Sequence, residues 1–265
     1  STNFAPKAPP GACQVFRPNG PGTTSFINLE GVCNGELPEY VATFIPGIYG
    51  QNGTGTMIRG PGLVLTGSAW TVSAWVYSPN PSGIGRVFGQ ESNYGTPSSS
   101  CDEFIFQVIP NLSIVTYGSI GSAKSTTGVS PNKWQMISAS ASGGTSGTVS
   151  FYINGQFISS NSLSTQVQTG SNWGWNIGAQ AYCSGTRGAA NGSIANVQLY
   201  NTSLSASAIQ ALYQEGIGGA PINLQNLVGW WPLNGNANDY SGNGNNGVPS
   251  NVMFVSNWYS GYTPP

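Results

Sequence analysis

The sequence predicts an all-β protein whose antiparallel strands form a two-sheet sandwich, with one short helix. Short runs of β-forming residues follow one another, separated by Gly, Ser, Asn and Pro. Apolar residues alternate with polar ones within these runs, as at Phe104, Phe106 and Val108, which gives each strand one buried face. Hydrophobic residues make up 38% of the chain, which is enough for a sizeable core.

The predicted strands follow an N-terminal extension. Residues 1–36 are rich in Pro and Gly and form this extension, and residues 37–265 form a single sandwich domain. The predicted strands are Tyr40–Phe44, Leu63–Leu65, Thr71–Tyr77, Arg86–Gln90, Glu103–Ile109, Leu112–Tyr117, Lys133–Ala141 and Thr148–Asn154. The pair Asn154-Gly155 is typical of a two-residue hairpin turn, so Gln156–Ser159 is expected to pair with the strand before it.

One helix interrupts the series of strands. Ser205 is a favourable N-cap residue, and Ile209, Leu212 and Tyr213 lie on one face at helical spacing. Gly216 can end the helix, because glycine readily takes the left-handed conformation that follows many helices. We expect this helix to be structural.

The composition excludes several classes of function. Only 6% of residues are charged and the net charge is −1, so there is no basic surface for nucleic acid. The chain has no histidine, which excludes Ser-His and Cys-His nucleophiles and His-ligated metals. No apolar run approaches the roughly 20 residues that span a bilayer, so we expect no direct membrane insertion. With few ionisable groups, stability should vary weakly with pH.

The four cysteines are Cys13, Cys33, Cys101 and Cys183. An even number in a chain rich in Gly, Ser and Asn predicts disulfides and an oxidising, extracellular compartment. Three pairings are possible. We favour Cys13–Cys33, which closes a local N-terminal loop, together with Cys101–Cys183, and four buried thiols are the alternative.

Several runs between residues 40 and 215 resemble a known family in their order and spacing. They are Trp70–Tyr77 (WTVSAWVY), Lys133–Ile137 (KWQMI), Phe151–Gly155 (FYING), Gly192–Tyr200 (GSIANVQLY) and Leu204–Tyr213 (LSASAIQALY). They resemble the strands and helix of laminin-G-like, concanavalin A-like lectin and glucanase jelly rolls. The resemblance implies two curved antiparallel sheets and an extracellular recognition or adhesion role, commonly towards glycans. The style of the N-terminal region around Cys13 and Cys33 also resembles archaeal, pilin-like surface proteins.

A C-terminal run resembles the segment that normally opens this domain. Val228–Gly247 (VGWWPLNGNANDYSGNGNNG) resembles that opening segment, yet here it comes last. We favour a circular permutation, in which 227–255 folds back and completes its own sandwich. The alternatives are donation of this segment to a neighbouring copy, which would build a filament, and a truncated second repeat.

The carboxylates do not form the pattern of the related glucanases. The resemblance implies that a glucanase carries its carboxylates as E-x-D-x-x-E on one strand. No two carboxylates of this chain lie at i and i+2, and Asp102 and Glu103 are adjacent. A pair formed by distant positions, such as Glu91 with Asp102 or Glu103, remains open. We expect no catalytic residues and no enzymatic activity.

The resemblance also implies a structural calcium site. Carried over to this chain, the candidate ligands are Asp239, Ser241, Asn243 and Asn196. The family's paired aspartates are replaced by Ala195 and Asn196, although calcium prefers several charged oxygens. The alternative is a Gly/Asn turn that side-chain to backbone hydrogen bonds hold together. No other cofactor is expected.

Aromatic residues near the proposed Cys101–Cys183 bridge are the candidates for glycan binding, because sugar faces stack on aromatic rings. The candidates are Tyr94, Trp173, Trp175, Tyr182 and Arg187. Among them, Trp173 and Trp175 are expected to be exposed. Trp75, Trp134 and Trp230 lie in strand-like runs and are expected to be buried in the core.

Two functional hypotheses follow. The first is a non-enzymatic, extracellular cell-surface module that binds surface glycans or glycoproteins. The alternative is a structural subunit that self-assembles into a filament, pilus or coat by exchange of a strand or terminal segment, and a glycoside hydrolase ranks third. The position of Trp230, Trp231 and the tail up to Tyr262 distinguishes the first two.

Overall fold

A computed structural model describes residues 37–45, 56–63, 65, 69–91, 103–117, 121–142, 147–163, 173–179 and 189–265. Within these residues, fifteen strands form two antiparallel sheets that face each other. The predicted N-terminal extension, residues 1–36, and all four cysteines lie outside the described residues. Both disulfide assignments therefore stay predictions. The predicted all-β, two-sheet sandwich with one short helix is confirmed.

The strands are β1 (Val41–Phe44), β2 (Met57–Gly60), β3 (Trp70–Tyr77), β4 (Gly85–Glu91), β5 (Glu103–Val108), β6 (Asn111–Tyr117), β7 (Gly121–Gly128), β8 (Trp134–Ser142), β9 (Thr148–Ile153), β10 (Gln156–Ser162), β11 (Gly174–Ile177), β12 (Gly192–Tyr200), β13 (Leu227–Trp231), β14 (Val248–Ser250) and β15 (Met253–Val255). Sheet 1 has the order β10-β9-β8-β3-β12-β1-β15, and β13 also pairs with β12. Sheet 2 has the order β14-β2-β11-β4-β5-β6-β7.

Most of the predicted strands are present, but the predicted strand Leu63–Leu65 is wrong. Leu63 and Leu65 are buried but lie outside any strand, and the Leu63 carbonyl accepts a hydrogen bond from Gln90 Nε2 at 2.7 Å. An apolar run can therefore enter the core without joining a sheet. β2 and β7 have no counterpart among the predicted strands, and Ala123 is the one apolar side chain of β7 that reaches the core.

The predicted helix is present as α1 (Ala206–Gln214). The Ser205 side chain accepts a hydrogen bond from the Ala208 backbone N–H at 3.2 Å, which makes it the N-cap. Ile209 and Leu212 are buried against sheet 1, and Gly216 follows the helix with a φ of 77°. In the described part of the chain, no helix is long and apolar enough to cross a membrane.

The segment 227–255 contributes a strand at three places in the sandwich. β12 pairs with β3 along one side, and its other side is shared by β1 at Gly192–Ile194 and β13 at Val197–Tyr200. β14 pairs with β2 in sheet 2, and β15 pairs with β1 in sheet 1. A continuous run of residues therefore adds strands to both sheets of the same chain.

The core between the sheets is rich in aromatic residues. Trp231 of β13 is fully buried there, and its ring centroid lies 4.4 Å from that of Trp175 and 5.9 Å from that of Phe88. Gly229 leaves room for this ring, since a Cβ at that position would lie 2.2 Å from the indole. The last strand-forming segment thus supplies part of the central core.

A second apolar cluster covers the outer face of sheet 1. Trp75, Trp134 and Trp230 are buried in it, as predicted, beneath α1 and the C-terminal tail, residues 256–265. Trp134 Nε1 donates to the Trp258 carbonyl at 3.0 Å, and Trp258 Nε1 donates to the Pro38 carbonyl at 2.9 Å. The aromatic tail therefore docks on its own chain.

Candidate functional site

The structure separates the two tryptophans that the sequence grouped as exposed. Trp173 precedes β11 and is half-buried, and its carbonyl accepts a hydrogen bond from the Gly62 N–H at 3.0 Å. Trp175 lies inside β11, is 1% exposed and faces the core, so the expectation that it is exposed is wrong. The reason is the space that Gly60 leaves, because a Cβ there would lie 2.5 Å from the Trp175 ring.

Three other predicted glycan-binding residues fall outside the described residues. They are Tyr94, Tyr182 and Arg187. Their role stays a prediction, and of the two candidates that the structure describes, Trp173 is the one that is not fully buried.

A row of four residues, two of them polar, crosses the outer face of sheet 2. Ile58, Ile177, Phe88 and Phe106 point into the core, so the residues that alternate with them occupy the opposite face. On that face the strand register aligns Arg59, Asn176, Gly89 and Ile105 across β2, β11, β4 and β5.

Gly89 provides the space for a neighbouring side chain in this row. A Cβ at Gly89 would lie 2.9 Å from Asn176 Oδ1, so the Asn176 amide lies over the glycine. Any larger residue at this position would displace the amide. Asn176 is only 4% exposed, so this amide is buried and is not a surface group.

A second row lies beside the first on the same face. The register aligns Arg86, Gln107, Ser113 and Lys124 across β4, β5, β6 and β7. Lys124 is exposed and Arg86 and Gln107 are half-buried, whereas Ser113 is fully buried and its Oγ has no hydrogen-bond partner in the described structure.

This face gathers most of the positive charge that the structure describes. Of the four described cations, Arg59, Arg86 and Lys124 lie on it, and Lys133 lies in the turn before β8. Guanidinium, ammonium and amide groups donate hydrogen bonds to hydroxyl and carboxylate oxygens. The sequence alone did not reveal this arrangement, because the three cations lie far apart along the chain and only the strand register aligns them.

Two glutamates become neighbours in the same sheet. Glu91 of β4 is the register partner of Glu103 of β5. The Cβ atoms of directly opposite residues on antiparallel strands lie about 5 Å apart. The structure thus aligns one of the distant pairs that the sequence analysis left open.

The Asp239 turn, defined as residues 238–247, contains three of the four predicted calcium ligands. Asp239 Oδ1 accepts hydrogen bonds from the backbone N–H groups of Trp230 and Ser241, both at 2.9 Å. Its Oδ2 accepts from Ser241 Oγ and from the Asn245 N–H, again at 2.9 Å. Protein donors therefore occupy both oxygens of the carboxylate.

The remaining predicted ligands are also engaged. Asn243 uses its amide nitrogen, which donates to the Leu227 carbonyl at 2.8 Å. Asn196 lies in β12 with a φ of 49°, and its buried Oδ1 accepts hydrogen bonds from Trp230 Nε1 at 2.8 Å and Gln198 Nε2 at 3.0 Å.

These residues do not fit a calcium ion. Calcium needs six to eight oxygen ligands that point at it, usually with charge among them. Here the oxygens of Asp239 and Asn196 point at N–H and O–H donors instead. No group of three or more acidic or Cys residues lies together within the described part of the chain. The arrangement is the one expected for a turn that hydrogen bonds hold together.

Comparison with known proteins agrees with the fold. The pentraxin from Limulus polyphemus, a heptameric SAP-like protein, is 14% identical, with a TM-score of 0.55 and coverage of 83% of this chain and 97% of that one. A putative carbohydrate binding protein from Bacteroides ovatus is 12% identical, with a TM-score of 0.57 and coverage of 88% and 66%. Both show a similar fold.

Comparison by sequence gives the family. No curated protein sequence matches the chain. A family model described as "Concanavalin A-like lectin/glucanases superfamily" matches residues 52–210, which is more than half of the chain. The segment that contains β13, β14 and β15 lies beyond this match. The chain belongs to the laminin-G-like family of the concanavalin A-like lectin and glucanase superfamily.

Proposed function

We propose that this protein is a non-catalytic, extracellular module that binds surface glycans or glycoproteins. The observation that carries the proposal is the pair Gln107 and Lys124, which are half-buried and exposed, respectively, on the outer face of sheet 2 in a lectin-type sandwich. Polar groups placed on a rigid sheet can bind several sugar hydroxyls without much loss of side-chain freedom.

The chemistry of the site combines hydrogen bonds with one aromatic surface. Gln107 and Lys124 provide an amide and an ammonium group that solvent reaches on the outer face of sheet 2. Trp173 lies next to the first residue of β11 and offers a half-buried ring for stacking on a sugar. Because β7 lies four strands from β11, about 19 Å across the sheet, Lys124 and Trp173 are proposed as contacts to different units of one glycan.

The experiment is a glycan array followed by titration of the best ligand against two matched pairs of variants. Lys124→Ala is compared with Lys133→Ala, because both lysines are exposed but only Lys124 lies on sheet 2. Trp173→Ala is compared with Phe157→Ala, because Phe157 is an exposed aromatic residue on sheet 1. We expect Lys124→Ala and Trp173→Ala each to lose about tenfold in affinity, or about 1.4 kcal/mol, and the two controls to bind as the wild type does.

The outcomes separate the function from the site. A wild-type protein that binds no glycan on the array contradicts the proposed function. Binding that persists in all four variants, or that falls equally within a pair, contradicts the proposed site and leaves the function in place.

Glycoside hydrolysis is the third hypothesis, and the observation in its favour is the register of Glu91 with Glu103. Retaining glycosidases use a pair of carboxyl groups, and the register supplies two acidic positions on neighbouring strands. We expect no release of reducing sugar from any glycan that the protein binds. Release that Glu91→Gln and Glu103→Gln both abolish would assign a hydrolase instead.

The contacts of the C-terminal tail favour recognition over a structural subunit. Trp231 fills the core between the sheets, and Trp258 and Tyr262 bind to residues of sheet 1 and the loop after α1. These contacts within one chain support the first hypothesis, and the mass of the native particle tests it against exchange between copies. Display at the cell surface is part of the proposal and is supported by the low charge and the even number of cysteines.

A further inference from the structure

We infer that the Asp239 carboxylate itself holds the C-terminal strand β13 in place, in the role that the family resemblance implies for calcium. The Asp239 turn follows β13 and folds back on it. Tyr240 N–H donates to the Trp230 carbonyl at 2.8 Å, and Asp239 Oδ1 accepts from the Trp230 N–H. The carboxylate therefore bonds directly to the strand.

The carboxylate is saturated by donors of its own chain. Its four hydrogen bonds come from three backbone N–H groups and the Ser241 hydroxyl. An ionised carboxylate has about four acceptor positions, so this set fills them. A cation on either oxygen would have to displace a donor and leave it unpaired.

Asparagine side chains complete the link between the turn and the strand. The amide nitrogens of Asn243 and Asn245 both donate to the Val228 carbonyl, at 3.1 and 2.8 Å. In the opposite direction, Trp231 Nε1 donates to the Asn245 carbonyl at 2.8 Å. Amide nitrogens repel cations, so two of the nearest side chains direct the wrong atom inward for a metal.

Two glycines let the turn take this shape. Gly242 and Gly244 have φ values of 91° and 76°, in the left-handed region that favours glycine. No atom lies within 4 Å of a Cβ built at either position, so backbone conformation and not space selects glycine there. The turn is organised by its own covalent and hydrogen-bonding geometry.

The inference is tested by the melting temperature of the full chain in EDTA and in millimolar CaCl2. The variant is Asp239→Asn, which keeps the size of the side chain and replaces one acceptor oxygen by a donor. We expect equal melting temperatures for the wild-type protein in the two buffers. We expect Asp239→Asn to melt about 5–10 °C lower in both, since charge-assisted hydrogen bonds are lost.

Each outcome either supports or overturns the inference that Asp239 and not calcium holds β13. A rise in melting temperature with calcium that Asp239→Asn abolishes would overturn the inference. A rise that persists in Asp239→Asn places the ion elsewhere and supports it. If Asp239→Asn does not fold, Ser241→Ala replaces it, because it removes one donor and keeps the carboxylate. A decrease that is equal in EDTA and calcium supports the inference, and one seen only with calcium overturns it.

Discussion

The outer faces of the two sheets differ in what the chain places on them. The outer face of sheet 1 is covered by α1 and the C-terminal tail, and its aromatic residues are buried. The outer face of sheet 2 carries Arg59, Arg86 and Lys124. Aromatic burial stabilises the fold, whereas burial of a cation costs free energy. The comparison shows that the covering aromatic residues lie on one face and most of the described cations lie on the other.

Residues of α1 and the C-terminal tail supply the aromatic contacts that cover the outer face of sheet 1. The Trp75 ring contacts the rings of Tyr213 from α1 and Tyr262 from the tail, with centroids 5.7 and 5.6 Å away. Trp258 lies 5.6 Å from Trp134 in an edge-to-face arrangement. Because aromatic pairs contribute beyond their buried area, the tail is expected to stabilise sheet 1 measurably.

The largest expected effect comes from a substitution in the core between the two sheets. Trp231→Ala should lower the free energy of unfolding by about 3–5 kcal/mol, because it removes a fully buried ring between the sheets. Urea denaturation measures this loss. The control Phe157→Ala removes a ring that is 55% exposed and should cost less than about 1 kcal/mol. Equal losses in the two variants would mean that β13 does not hold the sandwich together.

A smaller change tests the covered face alone. Trp258→Phe keeps an aromatic ring but removes the Nε1 donor to the Pro38 carbonyl, which should lower the free energy of unfolding by about 1 kcal/mol. The same urea experiment measures it. Tyr259→Phe is the neighbouring control, since Tyr259 is 39% exposed. A loss in the control but not in Trp258→Phe would contradict the docked tail.

The smallest expected effect concerns pH. Partial burial after the last turn of α1 raises the pKa of the Glu215 carboxyl above its ordinary value. The folded state therefore binds the proton more tightly, so this stabilisation is present below the ordinary pKa and is lost as the pH rises through the raised one. Glu215→Gln should raise the melting temperature slightly at pH 7 and leave it unchanged at pH 3.

The control for this prediction is Glu39→Gln, an exposed glutamate far along the chain. Thermal unfolding at pH 7, 5 and 3 measures both variants. If Glu39→Gln raises the melting temperature at pH 7 as much as Glu215→Gln does, burial at the helix end is not the cause.

The sequence predicted the elements that depend on local chemistry. Asn154 and Gly155 form the expected hairpin turn with φ values of 51° and 74°, and Ser205 caps α1 as expected. The sequence did not predict elements that depend on long-range packing. One of them is β7, whose eight residues include only one buried apolar side chain. Such a strand is held mainly by its ladder with β6, which no local pattern reveals.

The candidate site was predicted less well than the fold. Trp175 looked like an exposed loop residue beside Trp173, but the space over Gly60, on a strand more than a hundred residues away, places its ring in the core. The sequence predicted the Asp239 turn, but whether the Asp239 carboxylate oxygens face a metal or N–H donors depends on the position of β13. The first question needed the register of strands that are distant in sequence, and the second needed the local fold of residues 230–245.

The measurement that tests the central claim most directly is the mass of the native particle, by light scattering behind a sizing column at micromolar concentration. The claim is that 227–255 and the tail complete the sandwich of their own chain. It predicts a monomer near 27.5 kDa. Dimers or larger assemblies that survive dilution, and that dissociate in the Trp231→Ala variant, would contradict it and indicate strand exchange between copies.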